Sequence, residues 1–374
     1  MGALADILRR HGPDYRQRFA SRMPLDQLRV MWKIEHCRTP ALGGQSWACP
    51  DCGQVRWVFH SCGNRHCPGC GHDDAQAWLR RQEELALPIE YYLCTFTVAE
   101  PLRAAIRSHP KELLNLLFRT SSSSLLDMCA NPEWLGGRPG MTGVLHTWTR
   151  AMIYHPHIHY LVTGGGLDRQ GHWRRPGSRK FLVPVKTLST IFRARFRDAL
   201  REEFPDIFRT IPASSWRQDW VVHAKPVGNG RQTLRYLARY VYRAAIADSA
   251  ILHHDAQTVT FRYRDSETGK CRKMTLAAQE FIRRFLQHVL PGGFPKVRHY
   301  GLHHYPASEK TLPVLRAALC INQGKDLPPV PEESKTERPT PSCPCCNVPM
   351  RPGPHVYHKL TASTLQARAP PKAA

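Results

Sequence analysis

A segment rich in cysteine, glycine and proline, residues 36–72, is the feature that most constrains how this chain can fold. It contains two Cys-x-x-Cys pairs, Cys49 with Cys52 and Cys67 with Cys70, and fourteen residues separate the pairs. This spacing is close to that of a four-thiolate zinc site, in which each pair forms a tight turn that directs both sulfurs at the ion. We therefore predict that these four cysteines bind one zinc ion. The ion is expected to be structural, because a closed four-thiolate site has no open position for a reacting water.

The same segment offers enough further ligands for a second zinc site. Spacing leaves the choice among them open, and the candidates are Cys37, Cys62, His36, His60, His66 and His72. A short run near the C-terminus, Cys343-Pro-Cys345-Cys346, is a weaker candidate of the same kind, with His355 or His358 as further ligands. Zinc is the expected metal in each case.

The charge balance indicates a polyanionic partner. The 374 residues include 53 Lys and Arg against 30 Asp and Glu, a formal net charge of +23, which attracts DNA or RNA. A hydrophobic content of 42% excludes disorder of the whole chain. The N-terminal residues contain no long apolar run, and no stretch is long and apolar enough to span a membrane, so we expect a cytoplasmic protein without a membrane partner.

Hydrophobic periodicity predicts an α+β fold in three parts. Residues 1–86 combine a helical lead-in with the cysteine segment and are expected to form a zinc-binding, DNA-binding domain. Residues 87–305 alternate strand-like runs with helical runs and are expected to form a catalytic domain. Residues 306–374 are rich in proline and charge and are expected to form a tail with the weaker zinc candidate.

One predicted strand carries closely spaced histidines. In the run HPHIHYLVTGGG, a period of two places His157 and His159 on one face and Ile158 and Tyr160 on the other. Two imidazoles on one face suit a divalent ion, and a site with few protein ligands leaves positions for phosphate oxygens. The alternative is a half-exposed strand whose histidines bind nothing.

A predicted helix over Gln232–Ala247 carries tyrosines. Leu234, Leu237 and Val241 share its core face, whereas Tyr236, Tyr240 and Arg243 lie together on another side. A tyrosine hydroxyl can attack a phosphate when a metal polarises that phosphate and an arginine stabilises the developing charge. The alternative is that these tyrosines stack on bases or pack.

A basic segment, residues 261–298, follows this helix. It contains nine Lys and Arg against three acidic residues, with aromatic residues between them. Such a pattern suits a single-strand track that uses phosphate pairing and base stacking. We predict Arg283 and Arg284 of this segment, and Arg243 of the preceding helix, as DNA contacts.

Taken together, these segments resemble the HUH single-strand transposases of the insertion sequence 91 family. The resemblance spans nearly the whole chain and is carried, in order, by CRTPALGGQSWACPDCG with SCGNRHCPGC, by VLHTWTR with HPHIHYLVTGGG, by YLARYVYR, and by FIRRFLQHVLPGGFPKVRHYG. It implies an HUH-type antiparallel sheet flanked by helices, with an N-terminal zinc-binding domain.

The resemblance also implies roles for individual residues. His157 and His159 would bind a catalytic Mg²⁺ or Mn²⁺ with His146 as a third ligand, and Tyr236 and Tyr240 would be the nucleophiles. The expected activity is nicking and joining of single-stranded DNA through a 5′-phosphotyrosine in rolling-circle-type transposition. The expected partner is the single-stranded end of a transposon, and a homo-oligomer is also allowed. The alternatives are a replication initiator or relaxase with the same chemistry, and a zinc-dependent nucleic-acid-binding regulator without catalysis.

Overall fold

The computed structural model describes residues 2–178, 181–241, 245–265, 268–304, 307–322 and 340–357, excluding the side chains of residues 239, 240, 307 and 308. The helices are α1 (Ala3–Phe19), α2 (Leu25–Glu35), α3 (His72–Leu85), α4 (Leu102–Ser108), α5 (Pro110–Ala130), α6 (Val185–Glu203), α7 (Pro205–Thr210), α8 (Arg231–Val241), α9 (Ala278–Leu286) and α10 (Ala307–Ile321). The strands are β1 (Gly43–Ala48), β2 (Val55–Phe59), β3 (Tyr91–Thr97), β4 (Arg138–Trp148), β5 (Tyr154–Leu167), β6 (Trp173–Arg174), β7 (Val222–Pro226), β8 (Ile251–His254), β9 (Thr258–Arg264), β10 (Cys271–Ala277), β11 (Val297–Gly301) and β12 (Arg351–Tyr357).

The central sheet has the strand order β11-β4-β5-β3-β7, with β6 paired to β5. Its neighbouring strands are antiparallel. Ile158 and Tyr160 of β5 point into a large hydrophobic cluster that includes Phe118 of α5 and Phe192 of α6. Because side chains alternate along a strand, the neighbouring residues His157 and His159 lie on the opposite face. The predicted α+β fold is confirmed by this antiparallel sheet with helices packed on it.

Helix α8 covers the histidine-bearing face of this sheet. Leu234, Leu237 and Val241 pack there against Val144 of β4 and Leu161 of β5. This confirms the predicted core face of the helix. The helix is shorter than predicted, however, because residues 245–247 are not helical.

A second sheet, with strand order β10-β9-β8, packs against the N-terminal helices. One hydrophobic cluster joins Leu4 of α1 and Met31 of α2 to Phe261 of β9 and to Phe281 and Phe285 of α9. The packing therefore crosses the predicted boundary at residue 86, and the three-part division of the chain stays a prediction.

A third sheet, with strand order β12-β1-β2, joins the two ends of the described chain. Strand β12 pairs antiparallel with β1, with Val356 opposite Gly44. Residues 351–357, predicted to belong to a tail, therefore complete a sheet that the N-terminal region begins. Within the part of the chain that the structure describes, no helix is both long and apolar enough to cross a membrane.

Candidate active site and thiolate clusters

Three histidines of the central sheet form a cluster, which we call the histidine cluster: His146, His157 and His159. His157 and His159 are two residues apart on β5, so they share a face. His146 of β4 lies directly opposite His157 in the register of the two strands, so its side chain emerges on the same face. Adjacent strands thus bring together three imidazoles that are not all neighbours in sequence.

The three rings are close enough to bind one ion. Their centroids are 5.2 Å apart for His146 and His157, 4.5 Å for His146 and His159, and 4.9 Å for His157 and His159. One nitrogen from each ring lies within 4.8 Å of the other two. With only three protein ligands, a bound ion would keep coordination positions open for substrate oxygens.

Hydrogen bonds orient two of these rings. His157 Nδ1 lies 2.7 Å from the carbonyl oxygen of His155, which can only accept, so Nδ1 carries the proton and the lone pair is on Nε2. His159 Nδ1 lies 2.8 Å from the hydroxyl oxygen of Thr95 on β3. Such contacts to the second ring nitrogen are typical of metal-binding histidines, because they fix the tautomer and the ring orientation.

The histidine cluster is neutral at physiological pH. Burial, reinforced by the neighbouring His159, lowers the pKa of His157 to about 3. Burial, with the charge of Lys225, lowers the pKa of His159 to about 4. Burial and the two other rings hold the pKa of His146 well below its usual range. Neutral imidazoles are the form that binds metals, so no proton competes with an ion near pH 7.

A candidate nucleophile lies beside the histidine cluster. Tyr236 of α8 lines a cavity of about 620 Å³ together with His146 and His157. Its ring centroid lies 6.3 Å from that of His159. Leu237 points at the sheet, and successive side chains of a helix are about 100° apart around its axis. Tyr236 therefore lies at the edge of the face of α8 that packs on the sheet. There its side chain is 36% exposed and open to a ligand in the cavity.

The other predicted residues of this site are only partly described. Tyr240 is on α8, one turn after Tyr236, but its side chain is outside the described residues, and Arg243 lies outside them altogether. Arg283 and Arg284 of α9 both hydrogen-bond to the Glu280 carboxylate, with contacts between 2.6 and 2.8 Å. They are not among the described residues that line the cavity.

Sequence reasoning did not single out the arginines that, among the described residues, line the cavity. These are Arg150, which follows β4, and Arg262 and Arg264 of β9, with Tyr263 between them. All three arginines are exposed. Arg262 and Arg264 belong to the predicted basic segment. Only the packing of β9 beside the histidine cluster distinguishes these two arginines from the other cations of that segment.

The first thiolate cluster is formed by Cys37, Cys62, Cys67 and Cys70. The sulfurs of Cys37 and Cys70 are 3.6 Å apart, as are those of Cys62 and Cys70, and those of Cys37 and Cys67 are 3.8 Å apart. A tetrahedral zinc ion with Zn–S bonds of about 2.3 Å places its sulfurs about 3.8 Å apart, so the donor set fits zinc. The predicted candidate histidines are not in this cluster; His66 Nε2 instead lies 3.4 Å from the backbone nitrogen of Leu290.

The structure corrects the predicted grouping of the cysteines. Cys67 and Cys70 belong to the first thiolate cluster, whereas Cys49 and Cys52 lie with Cys343 and Cys346 in a second thiolate cluster. The prediction that Cys49, Cys52, Cys67 and Cys70 share one ion is therefore wrong. The physical reason is that β1 and β2 carry the Cys49 pair toward β12 at the end of the chain, away from the Cys67 pair.

Comparisons with known proteins find similarity to transposases over most of the chain. Residues 140–311 match the family model described as "Putative transposase" (Y2_Tnp), and residues 7–98 match "Transposase zinc-binding domain" (Zn_Tnp_IS91). A relative from Sinorhizobium fredii (strain NBRC 101917 / NGR234), described as "Putative transposase y4qJ", is 37% identical, covering 90% of this chain and 87% of the relative. The "Transposase for insertion sequence element IS801" of Pseudomonas savastanoi pv. phaseolicola is 27% identical, covering 78% and 74% respectively. No solved structure matches the chain.

Proposed function

Because the chain belongs to the insertion sequence 91 family of transposases, we propose that it cuts and rejoins single-stranded DNA through a covalent bond between DNA and Tyr236. The observation that carries this proposal is the cavity shared by Tyr236 and the histidine cluster. The reaction would serve rolling-circle-type transposition, and the partner would be a single-stranded end of the mobile element. We expect it to act in the cytoplasm, where the chromosome is accessible.

The histidine cluster supports a divalent metal ion as cofactor. Held by His146, His157 and His159, such an ion would polarise a non-bridging oxygen of the scissile phosphate. Imidazole nitrogen is a poorer ligand for Mg²⁺ than carboxylate or water oxygen is, so of the two predicted ions the donor set favours Mn²⁺.

The proposed chemical step uses the hydroxyl of Tyr236. Its phenolic oxygen attacks the phosphorus, the bond from phosphorus to the 3′ oxygen breaks, and the phenolic proton is passed through solvent to that leaving oxygen. The products are a 5′-phosphotyrosine and a free 3′ hydroxyl. Because the phosphotyrosine keeps the phosphodiester energy, attack by a 3′ hydroxyl can reverse the step and join strands without ATP.

A second tyrosine would allow a second cleavage while the first bond persists. Tyr240 is our candidate, since its place one helical turn after Tyr236 puts both on one side of α8. We propose that Arg243 stabilises charge near this pair.

Cations around the cavity support a path for the DNA strand. Arg150, Arg262 and Arg264 line the cavity that holds Tyr236, and Tyr263 lies between two of them with a ring that could stack on a base. Arg283 and Arg284 stay predicted DNA contacts, but their hydrogen bonds to Glu280 compete with phosphate. The cavity arginines are therefore the better candidates for strand binding.

Trapping of the covalent intermediate tests this function. The wild-type chain is incubated with Mn²⁺ and single-stranded oligonucleotides from the flanks of its own gene, and adducts are detected on denaturing gels. We expect an adduct that the double variant Tyr236→Phe, Tyr240→Phe cannot form, because it lacks both hydroxyls. Peptide mapping of the wild-type adduct should place the DNA on α8.

A matched control is Tyr263→Phe, which removes a hydroxyl from the same cavity but keeps a ring for stacking. This variant should still form the adduct. Adduct formation by the double variant, or DNA attached outside α8, would refute the assignment. Salt-sensitive binding without any adduct would instead indicate a regulator without catalysis.

A further inference from the structure

We propose that Cys49, Cys52, Cys343 and Cys346 bind a second structural zinc ion, which fastens residues 340–357 to the N-terminal strands. The matched zinc-binding region ends at residue 98, so two of these four ligands lie far outside it. The site would be shared by two ends of the chain, since Cys52 and Cys343 are 291 residues apart in sequence.

Sulfur geometry supports a metal ion at this place. The four sulfurs lie within 4.8 Å of one another, and those of Cys52 and Cys343 are 3.7 Å apart. Tetrahedral zinc–thiolate geometry requires about 3.8 Å between sulfurs. A disulfide requires about 2.05 Å, so this spacing corresponds to a metal site rather than to crosslinks.

The two halves of the second thiolate cluster have the same backbone structure. In the first half, the Cys49 N–H donates to the Gln54 carbonyl at 2.9 Å, and the Gly53 N–H donates to the Cys49 carbonyl at 3.2 Å. In the second half, the N–H groups of Cys343 and Asn347 make the equivalent bonds to Val348 and Cys343, both at 2.9 Å.

Both halves also turn at the same point. Gly53 and Asn347, each directly after the second cysteine of its pair, have φ values of 71° and 56°. Such a left-handed residue is uncommon outside glycine, although asparagine tolerates it better than most. The sequences CPDCG and CPCCN therefore fold into equivalent turns, and each turn directs its two sulfurs at the other.

Among the described residues, this end of the chain is held by the pairing of β12 with β1 and by a small hydrophobic cluster. Within the described part of the chain, the buried members of this cluster are Cys49, Cys343 and Met350, with Trp47 and Val348 packed on them. Strand β12 also includes Pro352 and Pro354, which have no N–H to donate to the ladder. Where the hydrophobic core is small and the edge strand lacks some N–H donors, a structural metal ion can supply part of the folding free energy.

Zinc counting in cysteine variants of the full chain tests this proposal. We expect two zinc ions per wild-type chain. We expect one zinc ion in the double variant Cys343→Ser, Cys346→Ser, and also one in the double variant Cys49→Ser, Cys52→Ser. The variant with all four substitutions should also retain one, because both pairs hold the same ion. Cys345→Ser is the matched control, since Cys345 is exposed between two ligands but is outside the cluster, and it should retain two.

Two results would overturn the shared site. Unchanged zinc in the Cys343→Ser, Cys346→Ser variant would exclude these residues as ligands, and additive losses in the four-residue variant would mean separate ions. Hydrogen exchange provides an independent readout: protection of residues 351–357 should disappear in the pair variants, while protection in α1 and α9 persists. Loss of protection throughout the chain would indicate general unfolding and would also contradict the proposal.

Discussion

The histidine cluster and the first thiolate cluster both hold metal ligands a few ångströms apart, but they differ in ligand number and in surroundings. The first thiolate cluster offers four sulfurs, and Cys37, Cys62 and Cys67 belong to the hydrophobic cluster that joins α1, α2, β9 and α9. The histidine cluster offers three nitrogens and opens on a cavity that also contains Tyr236. Four ligands, three of them buried, suit an ion that stabilises the fold, whereas three ligands beside a cavity suit one that meets a substrate.

On the proposed function, this difference would give the ions at the two kinds of site separate roles. Removal of the thiolate-bound ion should affect stability, and removal of the histidine-bound ion should affect chemistry. The two parts are nevertheless connected, since β9 contributes Phe261 to the hydrophobic cluster and Arg262 to the cavity. The first thiolate cluster thus helps to position one wall of the proposed active site.

The largest expected effect is that of replacing Cys37 and Cys62 with serine. Structural zinc contributes on the order of 10 kcal/mol in small zinc domains, comparable with the whole free energy of unfolding of a typical domain. We therefore expect the cluster around α1, α2 and α9 to unfold, measured by hydrogen exchange and thermal unfolding. Replacing Cys49 and Cys52 should cost much less stability, and equal losses in the two variants would remove the distinction between the thiolate clusters.

Replacing His157 and His159 with alanine should affect chemistry instead. Loss of a metal that supplies several kcal/mol of transition-state stabilisation lowers the rate of adduct formation about a thousandfold or more. Zinc content should not change. His155→Ala is the control, because the carbonyl that orients His157 belongs to the backbone and survives the substitution. A double histidine variant with wild-type rates would show that the cluster has no part in catalysis.

A smaller effect is expected for Thr95→Val, which removes the hydroxyl that contacts His159 Nδ1. Loss of such a contact typically lowers metal affinity or activity 10- to 100-fold, here measured as Mn²⁺ affinity by calorimetry. Thr97→Val is matched to it, since Thr97 is on the same strand but donates to the Val221 carbonyl at 2.9 Å. If both variants bound Mn²⁺ as tightly as wild type, Thr95 would not orient a ligand.

The smallest effect is expected for Arg262→Gln with Arg264→Gln. Each lost phosphate contact lowers the slope of log binding constant against log salt by about 0.7 for single-stranded DNA, so the pair should lower it by about 1.4. The pair Arg283→Gln, Arg284→Gln should change the slope less, because both arginines are engaged by Glu280. A larger change of slope in the Arg283, Arg284 variant than in the Arg262, Arg264 variant would place the DNA strand on α9 and away from the cavity.

Local patterns predicted much of this architecture, because they need only a few neighbouring residues. The alternation in β5 indicated that His157 and His159 share a face, and the spacing in α8 identified Leu234 and Leu237 as core. The role of Thr95 could not be found this way. Its position opposite His159 depends on the register between β3 and β5, which sequence periodicity does not encode.

The grouping of cysteines shows the same limit. The pairs in CPDCG, CPGCG and CPCCN have nearly identical local sequences, so each is recognisable as half of a metal site. Which halves meet depends on long-range packing, here the pairing of β12 with β1. Spacing along the chain favoured the two nearest pairs, and the structure instead joins Cys49 and Cys52 to residues almost at the other end.

The most direct test of two metals with two roles measures zinc content and adduct formation on the same sample. Brief treatment with EDTA should remove the ion held by three histidines beside the cavity and leave the zinc held by four thiolates. We predict that the adduct disappears while the zinc content is unchanged, and that Mn²⁺ alone restores the adduct. Adduct formation that persists after chelation, or that falls only in proportion to zinc loss, would contradict the account.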